Sequence, residues 1–112
     1  MRRASGLRAW VVQRVSALYL ALFAFWVLGL FAFHPPRDAG AWRALLADPV
    51  MGVAAGLFFL ALLLHAWVGV RDVVIDYVHP PAVRLAVLIL LAAGLLACGL
   101  WAARVLLLAA LA

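Results

Sequence analysis

Apolar positions along the chain fall into three long runs separated by short polar breaks. Val15 to Phe33 is 19 residues without a formal charge, Pro49 to Val70 is 22 residues whose one ionisable group is His65, and Leu85 to Ala103 is 19 residues with none. A helix rising ~1.5 Å per residue needs ~20 predominantly apolar residues to cross a hydrocarbon core ~30 Å thick. The runs therefore predict an all-α membrane protein with spans near 15–33, 49–70 and 85–103. The second helix extends in a polar stretch to about Tyr77. Asp48-Pro49 pairs an N-cap with proline at the first helical position, where its missing N–H costs nothing. His34-Pro35-Pro36 and His79-Pro80-Pro81 end the first and second helices. Gly40 to Asp48, with Trp42, Leu45 and Leu46 among polar positions, reads as a short interfacial helix. No internal repeat is visible, and residues 1–112 read as one membrane-anchor domain.

Composition strengthens this picture. Hydrophobic residues make up 71% of the 112, and charged residues 12%, about half the usual ~25%. A water-soluble domain of this size needs a polar coat that the chain does not have. A soluble globular enzyme, a nucleic-acid-binding domain and a disordered tail are thereby excluded. The net charge of +5 comes from arginines spaced between apolar runs, not clustered on a solvated face, so it does not point to nucleic acid.

Arginine placement sets the expected orientation. With the N-terminus inside, the cytoplasmic face holds Arg2, Arg3, Arg8, Arg14, Arg71 and Arg84, and the outer face holds Arg37, Arg43 and Arg104. The N-terminus is thus expected in the cytoplasm and the C-terminus outside. The first span is longer than the usual ~7–15-residue signal-peptide core, and no small-x-small cleavage site follows it, so it reads as retained.

His65 is the one ionisable residue well inside a span. Such residues are costly in lipid and face a bundle interior. Three readings stand: a ligand of heme iron or another metal, a hydrogen bond to a neighbouring helix, or a proton relay. Gly69, Asp72 and Asp76 follow at four, seven and eleven residues. Eleven steps of ~100° end about 20° beyond three full turns, so in a helix that persists that far His65, Gly69, Asp72 or Val73, and Asp76 share one face, Asp76 ~16 Å further along the axis. Gly69 admits either a flat ring or ordinary close helix packing. Tyr77 is an interfacial aromatic, or with Asp76 a hydrogen-bonding pair suited to a quinone carbonyl. Arg14 is a cytoplasmic anchor, or a guanidinium for a heme propionate or quinone oxygen. Ser16 satisfies the helix backbone or joins that pocket. Trp10, Trp42 and Trp67 read as anchors or packing. Cys98 allows no internal disulfide and, inside an apolar run, reads as a small core residue; no metal cluster or thiol nucleophile is encoded.

These residues resemble the hydrophobic membrane anchor (D-type) subunits of succinate dehydrogenase, respiratory complex II. His65-Ala66-Trp67-Val68-Gly69 followed by Asp76-Tyr77-Val78 matches that family's H-x3-G-x6-D-Y pattern, and Gln13-Arg14-Val15-Ser16-Ala17 is similar to its Q-R-x-[ST]-A. The resemblance covers nearly the whole chain. It implies that His65 is an axial ligand of heme b, that Tyr77 donates a hydrogen bond to ubiquinone beside Asp76, and that Arg14 lies near the propionates or the quinone. Ser16 and Gly69 are further candidates for the heme pocket. Ala9 and Trp10 occupy the stretch where many relatives carry a histidine, and His79 follows the D-Y pair where relatives carry lysine or another residue. Both departures bear on the propionate contacts and the quinone pocket.

His34 and His79 lie at helix ends on opposite membrane faces, so a second heme ligand requires another polypeptide. The resemblance identifies that partner as the cytochrome b (C-type) anchor subunit. A partner is also expected to cover the face of His65, Gly69 and Asp76. The chain has no nucleotide-binding glycine loop and no cysteine set for clusters; the resemblance implies that FAD and iron–sulfur clusters sit in a partner flavoprotein and a partner iron–sulfur subunit. The expected role is non-catalytic by itself: docking those subunits, helping to hold heme, and building part of the quinone site in a bacterial cytoplasmic membrane. The family resemblance also allows a trimer of heterotetramers. An anchor of fumarate reductase or of another quinone-linked b-type cytochrome is the alternative. A small multidrug transporter is disfavoured, because such proteins use four spans and a membrane glutamate, and this chain has no glutamate.

Overall fold

A computed structural model describes the backbone of residues 2–111 and the side chains of residues 6–111. Four helices follow one another: α1 (Arg2–Phe33), α2 (Ala39–Ala47), α3 (Pro49–Tyr77) and α4 (Pro81–Leu111). Three of them, over Gly6–Phe33, Pro49–Tyr77 and Pro81–Leu111, are long and apolar enough to cross a membrane. All three exceed the apolar runs that predict them. Hydropathy marks the part of a helix that suits hydrocarbon, whereas the helix itself persists wherever nothing breaks it. Neither Arg14 nor Arg104 interrupts the backbone ladder, and α4 alone is about 46 Å long at ~1.5 Å per residue.

The helix ends follow the polar punctuation. Asp38 caps α2 by accepting the Ala41 N–H at 2.7 Å, and Asp48 caps α3 by accepting that of Met51 at 3.0 Å. Asp48 also closes α2, its backbone N–H donating to the Ala44 carbonyl. Each cap satisfies donors that the first helical turn leaves unpaired. At Gly52 the two helices come so close that a Cβ would lie 3.0 Å from the Leu46 carbonyl oxygen.

The turn from α3 to α4 is tied by Arg84. Its Nε donates to the Val78 carbonyl at 2.9 Å and its Nη2 to that of Ile75 at 3.1 Å, which occupies acceptors left open at the end of α3. Arg84→Ala is expected to lower the stability of the detergent-solubilised protein by about 1–2 kcal/mol, read in thermal unfolding. Lysine restores little, because a point charge cannot bridge two carbonyls as the guanidinium fork does.

α3 is the central helix, packed by α1 on one side and by α4 on the other, while α2 lies across one end against α3 and α4. Among the described residues α1 and α4 do not pack together. Gln13 meets Gly69, Ser16 meets His65 and Phe23 stacks on Phe58, so numbering on α3 falls as it rises on α1 and the pair is antiparallel. Tyr19 fastens this seam by donating its hydroxyl to the Ala54 carbonyl at 2.6 Å. At the α3–α4 seam, a Cβ on Gly99 would come within 2.7 Å of Leu63 Cδ1, so the glycine permits the close approach.

The interior is small: Met51, Ala55, Val68, Val74, Ala109 and one polar residue, Ser16, are buried. Large apolar side chains such as Phe25 and Phe33 are 77% and 82% exposed. In water that surface would drive association, whereas lipid tails are as apolar as the side chains and leave it at no cost.

Candidate functional site

The end of the bundle that carries the α1 N-terminus and the α3 C-terminus contains a cleft of about 770 Å³, within the range typical of ligand sites. Its walls come from two helices. α1 contributes Gly6, Ala9, Trp10, Gln13, Arg14 and Ala17, and α3 contributes His65, Val68, Arg71 and Asp72. On the α1 side, the small residues Gly6, Ala9 and Ala17 alternate with the larger Trp10, Gln13 and Arg14.

His65 sits half-buried at the deep end. Its Nδ1 lies 3.1 Å from the hydroxyl of Ser16, which is 5% exposed, and Ser16 also donates to the Gln13 carbonyl at 3.1 Å. The other ring nitrogen, Nε2, has no hydrogen-bond partner among the described residues and is not sealed off. Gln13 lies beside the pair. A Cβ at Gly69 would come 3.5 Å from its Nε2, and its Oε1 is buried without a partner. The face of Gly69 thus accommodates a side chain of α1. The same contacts correct one expectation: α1 of this chain, not only a partner polypeptide, covers the His65 and Gly69 part of the polar face.

Charge gathers toward the mouth. Arg14 lies over the Trp10 ring, 5.5 Å from its centroid, and makes no ion pair among the described residues. Arg71 pairs with Asp72 at 3.2 Å, and both are substantially exposed, so the pair adds little stability but balances one positive charge. Arg14 is therefore the cation of the cleft left without a carboxylate.

The sequence-derived candidates divide accordingly. His65, Ser16, Arg14 and Gly69 come together with Asp72 at the α1–α3 seam. Asp76 and Tyr77 do not line the cleft; they stand exposed in the last turn of α3, with Tyr77 77% exposed. The sequence reading gave Gln13 and Arg71 no chemical role. The signal for Gln13 was a neutral amide at the edge of an apolar run, one turn ahead of the hydroxyl of Ser16. Cys98 is exposed on α4 and not in the core as its apolar surroundings suggest, because α4 packs against the other helices on one side only; no cluster of His, Cys, Asp or Glu able to hold a bare metal ion occurs among the described residues.

Heme fits the atoms present. One imidazole nitrogen is occupied and the other is open, beside a cleft with an unpaired guanidinium of the kind that binds carboxylates.

Comparison with known proteins points the same way. The hydrophobic membrane anchor subunit of succinate dehydrogenase from Coxiella burnetii is 32% identical over 97 residues, covering 87% of this chain and 84% of the relative. The protein of the same description from Rickettsia felis is 32% identical over 74 residues, covering 66% and 62%. The family model described as succinate dehydrogenase/fumarate reductase transmembrane subunit matches residues 1–101, and this chain, with three helices long and apolar enough to cross a membrane, belongs to that family.

Proposed function

We propose that this chain is the membrane anchor of a succinate:quinone oxidoreductase, holding one side of a b-type heme through His65 and forming part of a ubiquinone site with Tyr77, Asp76 and Arg14. The observation that carries the reading is the half-buried His65 ring, held at Nδ1 by Ser16 and open at Nε2, in a cleft shared with Arg14. Its relatives are named as anchors of succinate dehydrogenase, which favours that complex over fumarate reductase.

Heme, when bound, supplies a one-electron redox centre. The work of this chain is positional. His65 would hold the heme iron and Arg14 would offer its guanidinium to a propionate or quinone oxygen, with the remaining iron ligand supplied by a cytochrome b anchor subunit. Tyr77 presents its hydroxyl as a donor to a quinone carbonyl, and Asp76 beside it adds an acceptor that orients the phenol. Ubiquinone takes up two electrons and two protons, the electrons arriving from the iron–sulfur subunit, which itself receives them from the flavoprotein. Those subunits dock at the end bearing the α1 N-terminus, which lies in the cytoplasm of a bacterial cell, with the C-terminus in the periplasm.

Affinity purification of this chain from its native membrane is expected to bring down a covalent-flavin protein, an iron–sulfur protein and a second small membrane subunit. The dithionite-reduced complex should show b-type absorption. Recovery of the chain with neither flavin nor b-type absorption would overturn the reading.

A further inference from the structure

Ser16 is the one buried polar side chain among the described residues, at 5% exposure, and its hydroxyl has two partners: the Gln13 carbonyl and His65 Nδ1, each at 3.1 Å. A hydroxyl carries one proton and two lone pairs. The Gln13 carbonyl can only accept, so the Ser16 proton serves that contact and the Oγ lone pair faces the ring. Both bonds then exist together only if His65 carries its own proton on Nδ1. In the opposite tautomer the single hydroxyl proton must choose between the ring and the carbonyl, and one contact is lost. A buried polar contact left unmade costs more than the average hydrogen bond contributes.

We propose that Ser16 is a positioning residue that fixes His65 as the Nδ1–H tautomer, leaving the Nε2 lone pair free to ligate the heme iron. The proposal rests on the axial-ligand reading of His65 and adds to it which atom binds and what holds the ring. The lock is local and pre-formed. Gln13 and Ser16 are three residues apart on α1, so the hydroxyl is held by its own helix before α3 packs against it. The antiparallel seam, fastened by Tyr19 to Ala54, sets the distance between the two helices. Donation from Nδ1–H to Oγ also makes the ring a more basic ligand, which favours ferric over ferrous iron.

The test uses the whole complex, with Ser16→Val, Ser16→Thr and Ser16→Ala. Valine and threonine have nearly the same shape and differ in the hydroxyl, which separates packing from hydrogen bonding. Removing the hydroxyl is expected to raise the heme midpoint potential by up to about tenfold in the ferrous-to-ferric ratio, or about 59 mV for one electron. It should also shift the low-spin ferric resonance lines, while threonine restores both. If Ser16→Val and Ser16→Ala lose heme altogether and Ser16→Thr retains it, the hydroxyl is again the determinant. An unchanged potential and unchanged resonance lines in Ser16→Val overturn the proposal, as does loss of heme in Ser16→Thr. Neither result touches the ligand assignment itself, which fails separately if His65→Ala leaves the heme spectrum unaltered.

Discussion

His65→Ala is expected to remove the low-spin, two-histidine heme spectrum from the assembled complex. The substitution deletes a first-sphere ligand, so the loss of heme affinity should exceed the ~10–100-fold that follows removal of an outer-sphere partner. The measurement is heme per flavin in the purified complex, together with the visible and paramagnetic-resonance spectra of whatever heme remains. The fold itself should survive. His65 is half-buried, contacts Ser16 through one hydrogen bond, and contributes nothing to the Tyr19–Ala54 bond or the Phe23–Phe58 stack that also join α1 to α3. The variant does leave the Ser16 acceptor facing a small cavity, which costs about 1–2 kcal/mol and remains below what would unfold a helix pair held at several points. Full heme content with an unshifted spectrum would show that the iron is held by other polypeptides alone. Loss of flavin together with heme would show an assembly defect.

How far the sequence disclosed this arrangement depends on the distance over which each signal acts. Local signals read correctly. Asp48-Pro49 sets the start of α3, the residues from Gly40 mark α2, and the two Pro-Pro pairs separate the long helices, whereas the Asp38 cap of α2 was not read. The phase along one helix was legible too: Asp72 lines the cleft with His65, as a ~100° step requires. The relation between helices was not legible. Periodicity fixes which residues share a face but says nothing of how far one helix slides or turns against its neighbour. The contact between Ser16 and His65, 49 residues apart, depends on that offset. So does the lodging of Gln13 beside Gly69, a face that the sequence left open to a flat ring. Helix length was underestimated for a different reason. A charged residue ends a hydrophobic run but not a helix, and Arg104 simply lies over the Trp101 ring, 5.8 Å from its centroid, one turn before α4 continues.

The split between the half-buried histidine and the exposed acid–phenol pair has a structural cause. α3 is 29 residues long, about 44 Å, and therefore outruns the ~30 Å hydrocarbon layer at one end. His65 lies inside the apolar run, where the α1 seam shelters it. Asp76 and Tyr77 fall in the overhang, beyond the described side chains of α1, with Arg84 of α4 holding the carbonyls on either side of them. A half-buried imidazole and an exposed acid–phenol pair on one helix keep a fixed separation. That suits a subunit whose task is to place groups, not to move them.

Tyr77→Phe tests the shallow half of this arrangement. The variant is expected to lower succinate:ubiquinone reductase activity roughly 10–100-fold, about 1.4–2.7 kcal/mol at 1.36 kcal/mol per tenfold. That is the scale of one donor removed from a carbonyl on which negative charge develops. Succinate oxidation with a soluble dye, which draws its electrons before the membrane, should be nearly unchanged. Phenylalanine keeps the ring, and the Tyr77 hydroxyl makes no hydrogen bond to the described residues, so the fold has little to lose at this 77% exposed position. The ratio of the two activities is therefore the decisive quantity. Equal loss in both assays would trace the effect to docking of the flavoprotein and iron–sulfur subunits at the end of α3. Retention of both would remove Tyr77 from the quinone site and leave its ring as an interfacial anchor. A selective loss, with heme content and spectrum as in the parent complex, separates the quinone function of the overhang from the heme function of the seam.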